Sequence, residues 1–243
     1  MLNDNIISIS VVMPIYNEQE NIIFAVEKIM AETSKFKKLE LIIVDDGSND
    51  TSNQKLIDLS IKYKNLIIIK HDKNKGLSQS LKDGFNKANN DYIVFNSADL
   101  PLEPKDISLV VEQKYPFDLL VIERNKYNGA TLWRKMVSFC NRVILHIFFP
   151  LSLIDIADSN FTFIFKKEIL KNIFPKSKSV GFIQPEIILR AKYLKFDIKT
   201  IETNYNGRKF GKSHFGKTKD ILLTIFDIIK FRIYSYILMF IKE

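Results

Sequence analysis

Ile9-Ser10-Val11-Val12-Met13-Pro14-Ile15-Tyr16-Asn17-Glu18 is an apolar, largely β-branched run that halts at a polar turn. Just beyond it, Ile22, Ile23, Val26, Ile29 and Met30 recur at helical spacing. A strand over Ile9 to Ile15 therefore passes into a helix over Asn21 to Thr33. The same alternation predicts strands at Leu39 to Val44, Leu66 to Lys70 and Tyr92 to Phe95, with helices at Thr51 to Tyr63 and Ser78 to Ala88. Strand and helix in strict succession mean a parallel sheet with helical crossovers. These strands are apolar throughout instead of alternating, so helices should cover both faces and the strands should be central ones.

Beyond Pro104 the regularity fades. Asp118 to Ile122, Phe161 to Phe165 and Ile198 to Tyr205 read as strands, Leu132 to Phe149 and Pro185 to Leu194 as helices. No Gly, Ser or Pro linker and no internal repeat divides the chain. With 243 residues and 46% apolar content it can bury one sizeable core. The expected organisation is one α/β domain over 1–217, with a nucleotide half at 6–104 and an acceptor half at 105–217, followed by an amphipathic helix over 218–243.

The balance of 36 basic and 28 acidic side chains, net +8, favours anionic partners such as phosphates, nucleic acid or a membrane face, without choosing between them. The basic residues are spread out and follow no RRM, helix-turn-helix or zinc pattern, so no nucleic-acid partner is expected. Cys140, the single cysteine, reads as a buried inert thiol. Met1 to Ser10 carries no basic cluster before an apolar run, so no cleaved secretory signal is expected and the location should be cytoplasmic. Ile221 to Ile241 is apolar, but Asp227, Lys230 and Arg232 interrupt it, which disfavours a bilayer span and suits a helix lying on a membrane or in the core.

In open α/β sheets ligands sit outside the carboxyl ends of the strands. Here those ends carry Asn17 and Glu18, Asp45 and Asp46, Asp72, and Asp99. Acids converging from several strands suit a ligand with ribose hydroxyls, base N–H groups and a metal-bridged diphosphate. A dinucleotide fold would show GxGxxG after the first strand, where this chain has Pro14-Ile15-Tyr16-Asn17-Glu18. His71, His146 and His214 have no metal-ligand spacing and read as structural or exposed.

The ordered series Pro14-Ile15-Tyr16-Asn17-Glu18, Val44-Asp45-Asp46-Gly47-Ser48-Asn49-Asp50-Thr51 and Asn74-Lys75-Gly76-Leu77 resembles glycosyltransferase family 2, inverting enzymes of GT-A fold. Ser97-Ala98-Asp99-Leu100, Asp158-Ser159-Asn160-Phe161, Glu186 within Gln184 to Ala191, and Arg208-Lys209-Phe210-Gly211-Lys212-Ser213 resemble the polyprenyl-phosphate branch, of the dolichol-phosphate mannosyltransferase type. The resemblance covers about Ile9 to Ser213.

It implies a UDP- or GDP-sugar donor, with Pro14, Tyr16 and Glu18 lining base and ribose, and Asp45 and Asp46 bonding the nucleoside. Ala98 and Asp99 would meet the nucleotide, and Asp99 would hold a divalent metal, Mg²⁺ or Mn²⁺, against the diphosphate. The chain departs from the family's Asp-x-Asp motif, since Ser97 stands for its first acid and Pro101 for a further polar ligand. Glu186 falls near the acceptor, to act as general base or to help orient a metal, and Arg208, Lys212 and Ser213 would grip phosphates, with Gly207 and Gly211 letting their loop close. The implied acceptor is a polyprenyl phosphate at a membrane surface. The rival readings are transfer to a glycan in polysaccharide biosynthesis or to protein, and a nucleotide-sugar binder without turnover.

Overall fold

The computed structural model describes residues 7–111, 116–124, 132–150, 152–153, 155–156, 158–203 and 218–240. Seven strands form one sheet: β1 (Ser8–Ile15), β2 (Lys38–Asp45), β3 (Leu66–Lys70), β4 (Tyr92–Phe95), β5 (Leu119–Arg124), β6 (Thr162–Lys166) and β7 (Ile198–Thr203). Their spatial order is β3-β2-β1-β4-β6-β5-β7. β6 is antiparallel to both of its neighbours, while the β1–β2, β1–β4, β2–β3 and β5–β7 pairs are parallel. The carboxyl ends of six strands therefore share one edge with the amino end of β6.

The helices are α1 (Ile22–Met30), α2 (Ser52–Lys62), α3 (Leu77–Lys87), α4 (Pro104–Val111), α5 (Leu132–Phe148), α6 (Leu170–Ile173), α7 (Ile183–Tyr193) and α8 (Thr218–Phe240). Side chains alternate across a strand, so each strand feeds two cores. Val11, Met13, Leu41, Ile43 and Val94 meet α1 and α2 through Ala25, Val26, Ile29 and Leu56. Val12, Ile42, Val44 and Ile93 meet Leu81 and Phe85 of α3, Ile187 and Ile188 of α7, and Ile228 and Phe231 of α8. Each fully buried aliphatic or phenyl side chain contributes about 1.5–3 kcal/mol. Gly84 lets α3 lie directly on the sheet, because a Cβ there would collide with Val12 Cγ1.

Two expectations are corrected. Leu66 to Lys70 forms an edge strand with only Leu66 buried, because among the described residues no strand pairs on its outer side. Cys140 is exposed, since the face of α5 that carries it turns outward with Met136, Phe139 and Ile147. The fading regularity after Pro104 coincides with the reversed strand β6. The carboxyl-terminal helix α8 spans Thr218–Phe240. Asp227 faces inward with Thr224, Ile228, Phe231 and Ser235, whereas Leu222, Phe226, Ile233 and Ile237 are exposed. Among the described residues no helix is long and apolar enough to cross a membrane.

Candidate active site

The turn after β1 and the turn after β2 are built as one unit. Asp45 stands opposite Ile15 in the sheet register, and Asp46 N–H donates to Ile15 O at 2.9 Å. Asn17 has φ 55, a left-handed conformation that asparagine tolerates better than most residues. Its N–H donates to Ser48 Oγ and its Oδ1 accepts from Asn49 N–H, each at 2.9 Å. Glu18 N–H donates to Ser52 Oγ at 2.9 Å, and Glu18 Oε2 accepts from Asn21 Nδ2 at 2.7 Å. A cavity of about 360 Å³ lies between the 17–21 and 49–50 segments. Burial pulls the Asp50 carboxyl up, but hydrogen bonds from Ser52 and Gln19 outweigh that and hold it below its ordinary value of 3.8.

Asp45 is fully buried, with its Oδ1 accepting Ser48 N–H at 2.9 Å. Asp46 is engaged by the chain itself. Its carboxylate accepts the N–H groups of Lys75 and Gly76, each at 2.8 Å, and faces His71 Nδ1 at 2.7 Å. With three chain partners it serves to hold the 74–76 turn to the end of β2, so the Asn74-Lys75-Gly76 motif joins the first two. Gly47 makes the approach feasible: its φ is 72, and a Cβ would lie 2.6 Å from Lys73 C. Pro14 is buried within β1, while Tyr16 and Glu18 are half-buried at its end; Asp72 is exposed.

The 97–99 segment follows β4, which is paired with β1. Asn96, fully buried, donates from Nδ2 to Leu102 O at 2.9 Å and from its N–H to Val12 O at 3.0 Å. These bonds and the Leu100 N–H to Ser97 O bond at 2.8 Å fold 97–102 into a tight turn, with Leu100 at φ 49. Ala98 is buried and Asp99 half-buried, and Ser97 Oγ donates to Asp99 Oδ1. Ser97 thus presents a hydroxyl that orients the Asp99 carboxylate. Among the described residues no three His, Cys, Asp or Glu side chains gather around a cation position. The pair still fits a hard cation that takes its other oxygen ligands from diphosphate and water.

On the far side of the same edge β5 ends at Arg124, whose Nε lies 2.5 Å from Asp158 Oδ2 and whose guanidinium lies 4.7 Å from the Phe161 ring centroid. Sequence reasoning missed Arg124 and Asn96. Arg124 ends β5 as the acids end β1, β2 and β4, but with the opposite charge.

Glu186 is 1% exposed, and its carboxylate accepts four N–H donors: Lys176 N, Ser177 N, and Nε and Nη2 of Arg190. A carboxylate offers about four lone-pair sites, so none is left for a substrate proton in this arrangement. Asp227 of α8 accepts Lys178 and Ser179 N–H at 2.8 Å, and Ser177 O accepts Ser78 Oγ and Lys82 Nζ from α3. Burial draws the Lys82 ammonium below its ordinary range, against the opposing pull of Glu186 and Asp227. The 176–179 segment is thereby tied to α3, α7 and α8. Arg208, Lys212 and Ser213 lie outside the described residues.

The family model for Glycosyl transferase family 2 matches residues 10–174, which span every turn described above from Asn17 to Asp158. The chain belongs to glycosyl transferase family 2. Among its family 2 relatives, it is 30% identical over 233 residues to a dolichol-phosphate mannosyltransferase of Pyrococcus furiosus, covering 91% of this chain and 62% of that one. It is 34% identical over 139 residues to an undecaprenyl-phosphate 4-deoxy-4-formamido-L-arabinose transferase of Pectobacterium atrosepticum, covering 56% of this chain and 42% of that one. The chain thus spans about two fifths to three fifths of the length of these relatives.

The family 2 fold is also that of glucosyl-3-phosphoglycerate synthase from Mycobacterium tuberculosis, solved with Mn²⁺ and UDP-glucose. The TM-score is 0.69 at 16% identity, covering 94% of this chain and 79% of that one. A second crystal structure of that synthase, with Mn²⁺, UDP and glucosyl-3-phosphoglycerate, gives a TM-score of 0.66 at 17% identity, covering 93% and 80%. The mixed seven-stranded sheet is therefore a GT-A fold.

Proposed function

We propose that this chain is an inverting glycosyltransferase that moves a sugar from a UDP- or GDP-sugar to a polyprenyl phosphate. The observation that carries the reading is the interlocking of the 16–18, 45–52 and 74–76 turns at one sheet edge, with Asp99 closing the adjacent strand. Tyr16, Glu18 and Asp45 would flank the nucleoside and Asp99 the diphosphate, while Asp46 shapes the wall between them.

In the reaction an acceptor phosphate oxygen forms the new bond to the sugar's anomeric carbon as the bond from that carbon to the diphosphate breaks. The acceptor is already an anion at neutral pH, so no strong base is needed, which agrees with the occupied carboxylate of Glu186. A Mg²⁺ or Mn²⁺ ion held by Asp99 would neutralise charge developing on the leaving diphosphate. Arg208, Lys212 and Ser213 are assigned to the phosphates as a bidentate and a point-charge cation beside a hydroxyl.

The exposed apolar side chains of α5 and α8, Phe139, Ile147, Leu222, Phe226 and Ile233, support seating on the inner face of a membrane, where such an acceptor resides. Lys219 and Lys230 add attraction to anionic lipid.

The test is incubation of the protein with labelled UDP- and GDP-sugars and a polyprenyl phosphate, with and without Mg²⁺ or Mn²⁺. Metal-dependent lipid-linked sugar is expected, and its absence across a full donor panel contradicts the proposal. A second reading, nucleotide-sugar binding without turnover, is favoured by the Ser97 hydroxyl where the family has an acid. It predicts that Ser97→Asp binds nucleotide and leaves turnover at zero.

A further inference from the structure

His71 follows directly on β3, and its side chain is 3% exposed. Its N–H donates to Asp45 O at 2.9 Å, which joins it to the end of β2. A carboxylate faces each ring nitrogen: Asp46 Oδ1 lies 2.7 Å from Nδ1, and Asp83 Oδ2 on α3 lies 3.0 Å from Nε2. Asp83 is itself held, since its Oδ1 accepts from Gln79 Nε2 at 2.9 Å. The imidazole therefore links a sheet-end carboxylate to a helix across the base of the 74–76 turn.

Lys73, Asn74 and Lys75 are exposed, and the turn's hold on the sheet passes through Lys75 N–H and Gly76 N–H on Asp46. A carboxylate directs two backbone donors only while its own rotamer is fixed. His71 is the side-chain partner that comes from the rigid side of Asp46.

We propose that His71 is a positioning residue for the donor site, acting through Asp46 to set the 74–76 turn against the 45–48 turn. This rests on the reading of that rim as the nucleotide site. Loosening His71 would shift the turn that walls the nucleotide and leave the reacting groups in place, so the loss falls on donor affinity and not on the chemical step.

Substitutions separate the two nitrogens. Asparagine carries an amide nitrogen near the place of Nδ1 and keeps the Asp46 bond; glutamine reaches the place of Nε2 and keeps the Asp83 bond. UDP and GDP, each with Mn²⁺, are titrated calorimetrically into wild type, His71→Asn, His71→Gln and His71→Ala, with melting temperature and the KM and kcat of transfer followed in parallel. Losing a buried bond to a charged group weakens binding by about tenfold or more. That loss is expected for His71→Gln and His71→Ala, appearing in donor KM with kcat kept, while His71→Asn, which lets go of Asp83 alone, loses only about threefold.

Wild type that binds neither nucleotide overturns the donor-site reading itself. Wild type that binds, with His71→Gln and His71→Ala binding equally well, overturns this inference alone. Equal loss in His71→Asn and His71→Gln refutes the route through Nδ1. Should the His71→Gln and His71→Ala proteins fail to fold, Asp83→Ala on the half-exposed face of α3 decides: a loss of about threefold supports the brace, and unchanged affinity overturns it.

Discussion

Asp227 Oδ2, on the inner face of α8, accepts Ser179 N–H at 2.8 Å. The same oxygen takes Lys178 N–H, so a helix whose outer face is apolar is fastened by an inward carboxylate to the segment that leads into α7. Asp227→Ala strands two backbone donors near the core and should cost about 2–3 kcal/mol in urea unfolding. Asp227→Asn, which keeps an acceptor, should cost about half of that. Equal stability in all three proteins would remove Asp227 from this role.

Glu186→Ala leaves the Arg190 guanidinium buried without its partner and should cost about 3–5 kcal/mol. Glu186→Gln should fold, lose part of that stability and keep turnover per folded molecule. A collapse of kcat in a well-folded Glu186→Gln protein would restore the general-base role that the sequence suggested.

Asp99→Asn should abolish the Mn²⁺ dependence of nucleotide binding, and Ser97→Asp should tighten Mn²⁺ binding by adding a second hard oxygen donor. Titration of Mn²⁺ in the presence of UDP or GDP checks both. Unchanged affinity in both variants would take the metal away from this turn.

Most of the first half was legible because sequence-local forces decide it. Apolar runs over Ile9 to Ile15 and Leu39 to Val44 are buried on both faces, and a strand buried on both faces shows its composition directly. Side-chain partnerships across the fold were not legible. Asp46 and Asp45 are neighbours in one motif, yet Asp46 is committed to Gly76 and His71, some thirty and twenty-five positions away, by the way the turns stack. Asp227 read as an interruption of an apolar helix, because hydropathy counts a charge without showing that two N–H groups wait for it. Arg208, Lys212 and Ser213 rest on the motif alone.

Three carboxyls at the surface should lend the protein a small stability that acid removes. Burial raises Asp118, but Asp197 N–H and Lys166 outweigh it, and Lys192 holds Asp155 down against burial; with Asp50, all three lie below 3.8 when folded. The unfolded chain takes up protons first, so their stabilisation is complete above 3.8 and is lost as pH falls through the folded values. Urea midpoints should fall as pH drops through this region, and Asp118→Asn should soften the fall. A midpoint that rises into acid would contradict the assignment.

The most direct measurement is a crystal structure of the protein soaked with UDP or GDP and Mn²⁺. The nucleoside should lie between Tyr16, Glu18 and Asp45, with the diphosphate and ion at Asp99 and no direct bond to the Asp46 carboxylate. Nucleotide bound away from the carboxyl ends of β1, β2 and β4 would contradict the account at its base.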